Sequence, residues 1–161
     1  MKPILYILCG VPGSGKSTWA YNFINDQYKD IRYVSRDSIR FHMLKDGEGY
    51  FSHEKEVFKK FVGTITATLV DGFDVIADAT HLNRASRAKL LRAITMNSVD
   101  FDTICVCLMV PKSVCLRQNA QRSGRARVPD EDLVEMYHRF EKPTLYEHET
   151  IKEIWTIERK G

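Results

Sequence analysis

Residues 10–18 read Gly10-Val11-Pro12-Gly13-Ser14-Gly15-Lys16-Ser17-Thr18. The spacing G-x-x-x-x-G-K-[ST] is that of a phosphate-binding loop, and each residue type has a physical reason to be there. Glycines at 10, 13 and 15 let the backbone wrap closely, so that successive N–H groups point at one anion. A helix that starts inside the loop adds the positive end of its dipole. Lys16 brings a charge to the β- and γ-phosphates, and the Ser17 hydroxyl suits Mg²⁺. Gly10, Pro12, Gly13, Ser14, Gly15, Lys16, Ser17 and Thr18 are therefore candidate ATP-binding residues, and ATP and Mg²⁺ the expected cofactors. The context fits: an apolar run at Ile4–Cys9 comes before, and a helical pattern follows through about Ile24.

Working outward, short apolar runs alternate with longer helical patterns. The expected strands are Ile4–Cys9, Ile31–Ser35, Asp74–Ala77, Thr103–Val110 and Glu153–Ile157, rich in Ile, Val, Leu and Cys. Such runs suit strands covered on both faces by helices. The clearest helix spans about Ser52 to Val70, with Val57, Phe61, Ile65 and Leu69 near a 3–4 residue period and Gly72 just beyond. Further helices are expected at about 84–96, 112–121 and 130–141, the last opening on Pro129 and three acids. The alternation predicts a three-layer α/β fold with a central, mostly parallel five-stranded sheet. The order of the strands is not encoded in this pattern.

A chain of 161 residues with 43% hydrophobic and 28% charged residues is expected to form a single domain, 1–161, with its own core. The 24 basic and 21 acidic residues leave a net charge of +3, too little to imply a nucleic-acid partner. Distribution says more. Residues 79–99 lack acids and carry Arg84, Arg87, Lys89 and Arg92, and residues 103–129 lack acids and carry five more cations. These stretches are either phosphate-facing or ordinary solvated helix faces. Cys9, Cys105, Cys107 and Cys115 form no C-x-x-C pair, and three lie in strand-like runs, which predicts buried free thiols. No apolar stretch is long enough for a membrane, and the first residues have no signal-peptide pattern, so a cytoplasmic location is expected.

Three further segments carry chemistry. Asp37, in Ser35-Arg36-Asp37-Ser38-Ile39-Arg40, follows the second strand, and carboxyl ends of parallel strands line the ligand crevice. It is a candidate general base, or else a helix cap. Arg40 is a candidate for an anionic acceptor group, or an exposed helical charge. Asp78 closes the third strand and could orient Arg40 or a Mg²⁺-linked water. Thr80 and Asn83 are acceptor contacts or caps of the next helix, and His81 reads as a solvated loop residue. Beyond Arg117, three arginines, Arg122, Arg125 and Arg127, surround Gly124 between two helices, which is either an Arg-rich helical lid at about 117–129 that meets the ATP phosphates on closing or a solvated interhelical turn.

Together these segments resemble the kinase domain of bacteriophage polynucleotide kinase and its relatives among small P-loop kinases. The matching pieces are residues 10–20, 35–40 and 78–83, with Arg122, Val128-Pro129 and Met136-Tyr137 following in order. The resemblance implies that Asp37 is the base for a 5′-hydroxyl and that Arg40 holds the acceptor's first phosphate. It also implies that Asp78 supports the acceptor site and that Arg122 stabilises the transferring charge, with Lys16 and Ser17 serving ATP and Mg²⁺. The implied partner is single-stranded or end-exposed DNA or RNA with a 5′-OH. The lid spacing departs by one or two residues, so Arg125 or Arg127 competes for the role of Arg122. No 3′-phosphatase domain is expected. Two alternatives stand beside this reading: a small-molecule kinase acting on a sugar, nucleoside, nucleotide-sugar or antibiotic, and a nucleotide-binding switch with no acceptor.

Overall fold

The computed structural model describes residues 1–27 and 29–159; Tyr28, Lys160 and Gly161 of the expected 1–161 domain lie outside them. Five strands, β1 (Ile4–Cys9), β2 (Ile31–Ser35), β3 (Asp74–Asp78), β4 (Asp102–Met109) and β5 (Ile151–Glu158), form one sheet in the order β2-β3-β1-β4-β5. Every neighbouring pair is parallel. Crossovers supply six α-helices: α1 (Lys16–Asp26), α2 (Arg36–Met43), α3 (Glu54–Val70), α4 (Arg84–Thr95), α5 (Lys112–Ala120) and α6 (Asp130–Arg139).

The period of two along β1 divides the core. Leu5, Ile7 and Cys9 face one layer with Phe61, Ile65 and Leu69 of α3 and Leu90, Leu91 and Ile94 of α4. Tyr6 and Leu8 face the other, with Ala20 of α1, Val114 of α5 and Leu133 of α6. The fold is therefore the expected three-layer α/β P-loop kinase architecture, with an all-parallel sheet. Cys9, Cys105, Cys107 and Cys115 are buried and unpaired, as expected. No helix among the described residues is long and apolar enough to cross a membrane.

The lid segment lies between α5 and α6, close to the expected helix bounds. Helix α5 stops at Ala120, and the segment beyond it contains only one turn of 3₁₀-helix, Gly124–Ala126. Gly124 has φ +59, and Pro129 resists continuation, so regular helix cannot bridge the two ends. Asn119 closes the loop instead. Its fully buried amide donates to the Val128 carbonyl at 2.6 Å and accepts from the Val128 N–H at 3.1 Å.

Candidate active site

β1 is the central strand, so the glycine loop opens at the middle of the sheet's carboxyl edge. Gly13 and Gly15 have φ of +82 and +91, where a side chain would be strained. A Cβ on Gly13 would also collide with the Cys115 carbonyl of α5, and one on Gly10 would lie 2.6 Å from Ser14 Oγ. Helix α1 starts immediately after Gly15 and has no acid in its first turn, which leaves its positive pole free for an anion. Lys16 Nζ lies over the loop and donates to the carbonyls of Gly10 at 3.0 Å and Val11 at 3.1 Å. Ser14 Oγ is buried without a hydrogen-bond partner among the described residues, while Ser17 and Thr18 are exposed. Pro12 is buried. A cradle with a lysine, a free helix pole and an exposed hydroxyl fits a nucleotide triphosphate and its Mg²⁺.

Burial lowers the pKa of Lys16, and the nearby charges then act on it: Asp78 and Asp37 raise it, Arg122 lowers it. Two carboxylates and a lid arginine thus lie within electrostatic reach of the loop lysine. Burial raises the Asp78 carboxyl, while Lys16 and a hydrogen bond from the Tyr33 hydroxyl oppose the rise. Asp78 therefore pairs with Tyr33 of β2 and does not orient Arg40, as the sequence had allowed. The cause is register: Ser35 and Asp78 are Cα partners, so Tyr33 lies two residues back on the adjoining strand.

Arg40 is the centre of a second cluster. Its Nε donates to Glu54 Oε2 at 2.7 Å and its Nη2 to Glu54 Oε1 at 2.6 Å, a bidentate pair across α2 and α3. Its Nη1 donates to Asp37 Oδ1 and, at 2.8 Å, to the Tyr50 hydroxyl. That hydroxyl in turn donates to Asp37 Oδ1 at 2.7 Å, and the Tyr50 ring lies 4.4 Å from the guanidinium. Burial works against the Arg40 charge, but Glu54, Tyr50 and Asp37 outweigh it and raise its pKa. The Arg40 hydrogen bond correspondingly lowers that of Glu54.

Two sequence readings are corrected here. Arg40 is buried and not an exposed helical charge, and four of its five N–H groups are taken up by Glu54, Asp37 and Tyr50, so it holds Asp37 in place. The cap of α2 is Ser35, whose hydroxyl accepts from Ser38 N at 3.2 Å, so Asp37 is not the cap. Asp37 is exposed, so its carboxylate is open to solvent.

The neighbouring loop behaves differently from its sequence reading. Asn83 caps α4 by accepting from Ser86 N at 2.8 Å, and the Thr80 carbonyl accepts from Gly10 N at 3.0 Å. The Asn83 side chain is thereby engaged as a cap, whereas Thr80 contributes its backbone. His81 is buried rather than solvated. Its Nδ1 lies 2.6 Å from the Leu8 carbonyl, and the ring stacks on Phe61 at 6.2 Å. Burial depresses its pKa to about 4, so the ring is neutral with Nδ1–H as donor. Arg87 is fully buried and does not face phosphate. It binds Glu147 through Nε at 2.9 Å and Nη2 at 2.8 Å, and the carbonyls of His81 and Glu141 at 2.6 and 2.9 Å.

In the lid, Arg122 is the arginine whose charge reaches Lys16 and Asp78. Arg125 is exposed and donates to the Lys45 carbonyl at 3.2 Å, which ties the lid to the loop after α2. Tyr33, Tyr50 and Glu54 carry no motif that marks them in the sequence; Glu54 reads there only as an acid in a helix's first turn.

Residues 5–143 match the family model described as AAA domain. A chain of the Pnkp1/Rnl/Hen1 RNA repair complex is similar at 25% identity and TM-score 0.71, over 85% of this chain and 43% of that one. A provisionally assigned kinase from Chloroflexus aurantiacus is similar at 17% identity and TM-score 0.76, over 98% and 85% of the two chains. A sugar kinase from Janibacter has 16% identity and TM-score 0.66, over 99% and 86%. These last two likenesses show the fold alone. The Arabidopsis thaliana protein named transcription factor bHLH140 is 24% identical over 123 residues, 76% of this chain. The chain spans only 12% of that relative's length.

Proposed function

The chain belongs to the AAA domain family, and on that premise we propose that it is an ATP-dependent polynucleotide 5′-hydroxyl kinase. The observation that carries this reading is Asp37, exposed, fixed by Arg40 and Tyr50, and acting electrostatically on Lys16. The resemblance of 35–40 and 78–83 to polynucleotide kinases, and the 25% identity to a chain of an RNA repair complex, support a nucleic-acid acceptor.

In this reading the glycine loop and Lys16 hold the β- and γ-phosphates. Asp37 takes the proton of the 5′-hydroxyl, whose oxygen bonds to the γ-phosphorus while the bond from that phosphorus to the β–γ bridging oxygen breaks. ADP and a 5′-phosphate end result. Mg²⁺, when bound with Ser17 as a ligand, neutralises charge on the β- and γ-oxygens. Arg122 reaches the transferring group from the lid, and the lid excludes water. Asp78, beside Lys16 and held by Tyr33, supports the loop side of the acceptor site.

A small-molecule acceptor is the second reading, since the fold itself is shared with a sugar kinase and does not select the acceptor. Incubation with γ-labelled ATP and a 5′-OH oligonucleotide, in competition with mononucleotides, nucleosides and sugars, separates them. Label on the oligonucleotide that no small molecule suppresses is the expected result. Label on a sugar or nucleoside alone replaces the first reading with the second.

A further inference from the structure

The loop between α2 and α3 carries an aromatic ring with no assigned purpose. Phe51 is 68% exposed, and its ring meets Tyr50 edge-to-face with centroids 4.7 Å apart. Tyr50 is held on three sides: its hydroxyl binds Asp37 and Arg40, its face covers the Arg40 guanidinium, and its edge meets Phe41 at 6.0 Å. The loop is pinned at its start by Arg125 on the Lys45 carbonyl. An exposed apolar ring is commonplace when it stands alone. This one packs against the phenol whose hydroxyl binds the Asp37 carboxylate. From Asp37 Oδ1 the path runs through a 2.7 Å hydrogen bond and one phenol ring to a ring 4.7 Å beyond. A nucleoside whose 5′ oxygen meets Asp37 has to pass only one phenol ring to bring its base to Phe51.

Resting on the acceptor class proposed above, we infer that Phe51 is the stacking surface for the base of the acceptor's 5′-terminal nucleotide. Tyr50 sets its spacing from Asp37. Any base offers a π-face, so this contact favours a nucleobase over a bare sugar and is tolerant of sequence. It leaves the hydrogen-bonding edges of the base unread, which suits an enzyme acting on ends.

The test compares two acceptors that differ only at the end: a 5′-OH oligonucleotide with a normal terminal nucleotide, and one whose terminal nucleotide is abasic. For the wild-type chain the abasic end is expected to raise KM roughly fivefold or more, the lower range of base–aromatic stacking. Phe51→Ala is expected to erase that difference by raising KM for the normal end alone, and Phe51→Trp to restore it. The exposure of Phe51 leaves the fold of both variants intact, which circular dichroism checks. Transfer to both ends with the same KM ratio in wild type and Phe51→Ala overturns the inference and leaves the kinase reading standing. No transfer to either oligonucleotide overturns both. A concentration-dependent dimer that dissociates in Phe51→Ala assigns the ring to a second copy of the chain and also overturns the inference.

Discussion

Arg40 and Glu54 face each other as a two-pronged ion pair, Nε to Oε2 at 2.7 Å and Nη2 to Oε1 at 2.6 Å, joining α2 to the first turn of α3. The pair leaves Nη1 for Asp37 and Tyr50, so the acid that faces the cleft takes its orientation from a buried cation. A guanidinium matches two oxygens at once, which an ammonium cannot do. The site is therefore built from α2 and α3 as much as from the glycine loop.

Removing Glu54 should expose this dependence. Glu54→Ala leaves the buried Arg40 charge with Asp37 as its one carboxylate partner, and is expected to cost about 2–3 kcal/mol of stability, at or below the usual range because Asp37 remains and Glu54 is partly exposed. Denaturant unfolding measures it. Arg40→Lys keeps the charge and loses the fork, so turnover should fall more than stability. Equal losses in both would mean that Arg40 is only a structural tie.

The glycine loop makes a sharper contrast. Gly13 and Gly72 both have positive φ, but a Cβ on Gly13 meets backbone and one on Gly72 meets nothing within 4 Å. Gly72→Ala is expected to cost only about 1 kcal/mol, the conformational penalty alone. Gly13→Ala should cost more than twice that and abolish ATP binding, as calorimetry would show.

Much of this was legible in the sequence because it is local. The glycine loop declares itself by spacing, and Val57, Phe61, Ile65 and Leu69 all lie buried along α3 as their period required. Strand cores were equally plain, since apolar runs leave few alternatives for a covered strand. Partner choice was not legible. Arg40 finds Glu54 across 14 residues, Tyr33 finds Asp78 across 45, and Arg87 finds Glu147 across 60. An arginine's charge states that it needs an acid but not which one, so Arg87 read as a surface cation and lies in the core. His81 misled for the same reason: a polar ring in a polar stretch gives no hint that a strand carbonyl and Phe61 will enclose it.

His81 also gives a pH signature. Its pKa falls from 6.5 to about 4 on folding, so the unfolded chain binds a proton in a window where the folded one does not. Its contribution to stability is complete above pH 6.5 and is lost progressively as pH falls toward 4. The loss reaches on the order of 3 kcal/mol at the lower limit. Thermal unfolding of the wild type should show this slope between pH 6.5 and 4. His81→Asn, which can still donate to the Leu8 carbonyl, should be flatter there. An unchanged slope would place the acid sensitivity elsewhere.

The lid arginines should separate. Arg122 acts on Lys16 and Asp78, whereas Arg125 is engaged with the Lys45 carbonyl. Arg122→Ala is expected to lower kcat on the order of a thousandfold, the lower range for an arginine that meets a transferring phosphoryl group. Arg125→Ala should act mainly on KM for the acceptor. Single-turnover rates with each variant distinguish chemistry from binding, and a kcat collapse in Arg125→Ala alone would reverse the two roles.

The most direct trial pairs two measurements on the same Asp37→Asn sample: ATP affinity by calorimetry, and the single-turnover rate of γ-label transfer to a 5′-OH oligonucleotide. The substitution keeps the shape of the side chain and removes its capacity to take a proton. ATP should bind as it does to the wild type while transfer drops by a hundredfold or more, within the usual range for a lost general base. Transfer within a few-fold of wild type would contradict the assignment of Asp37 as the base.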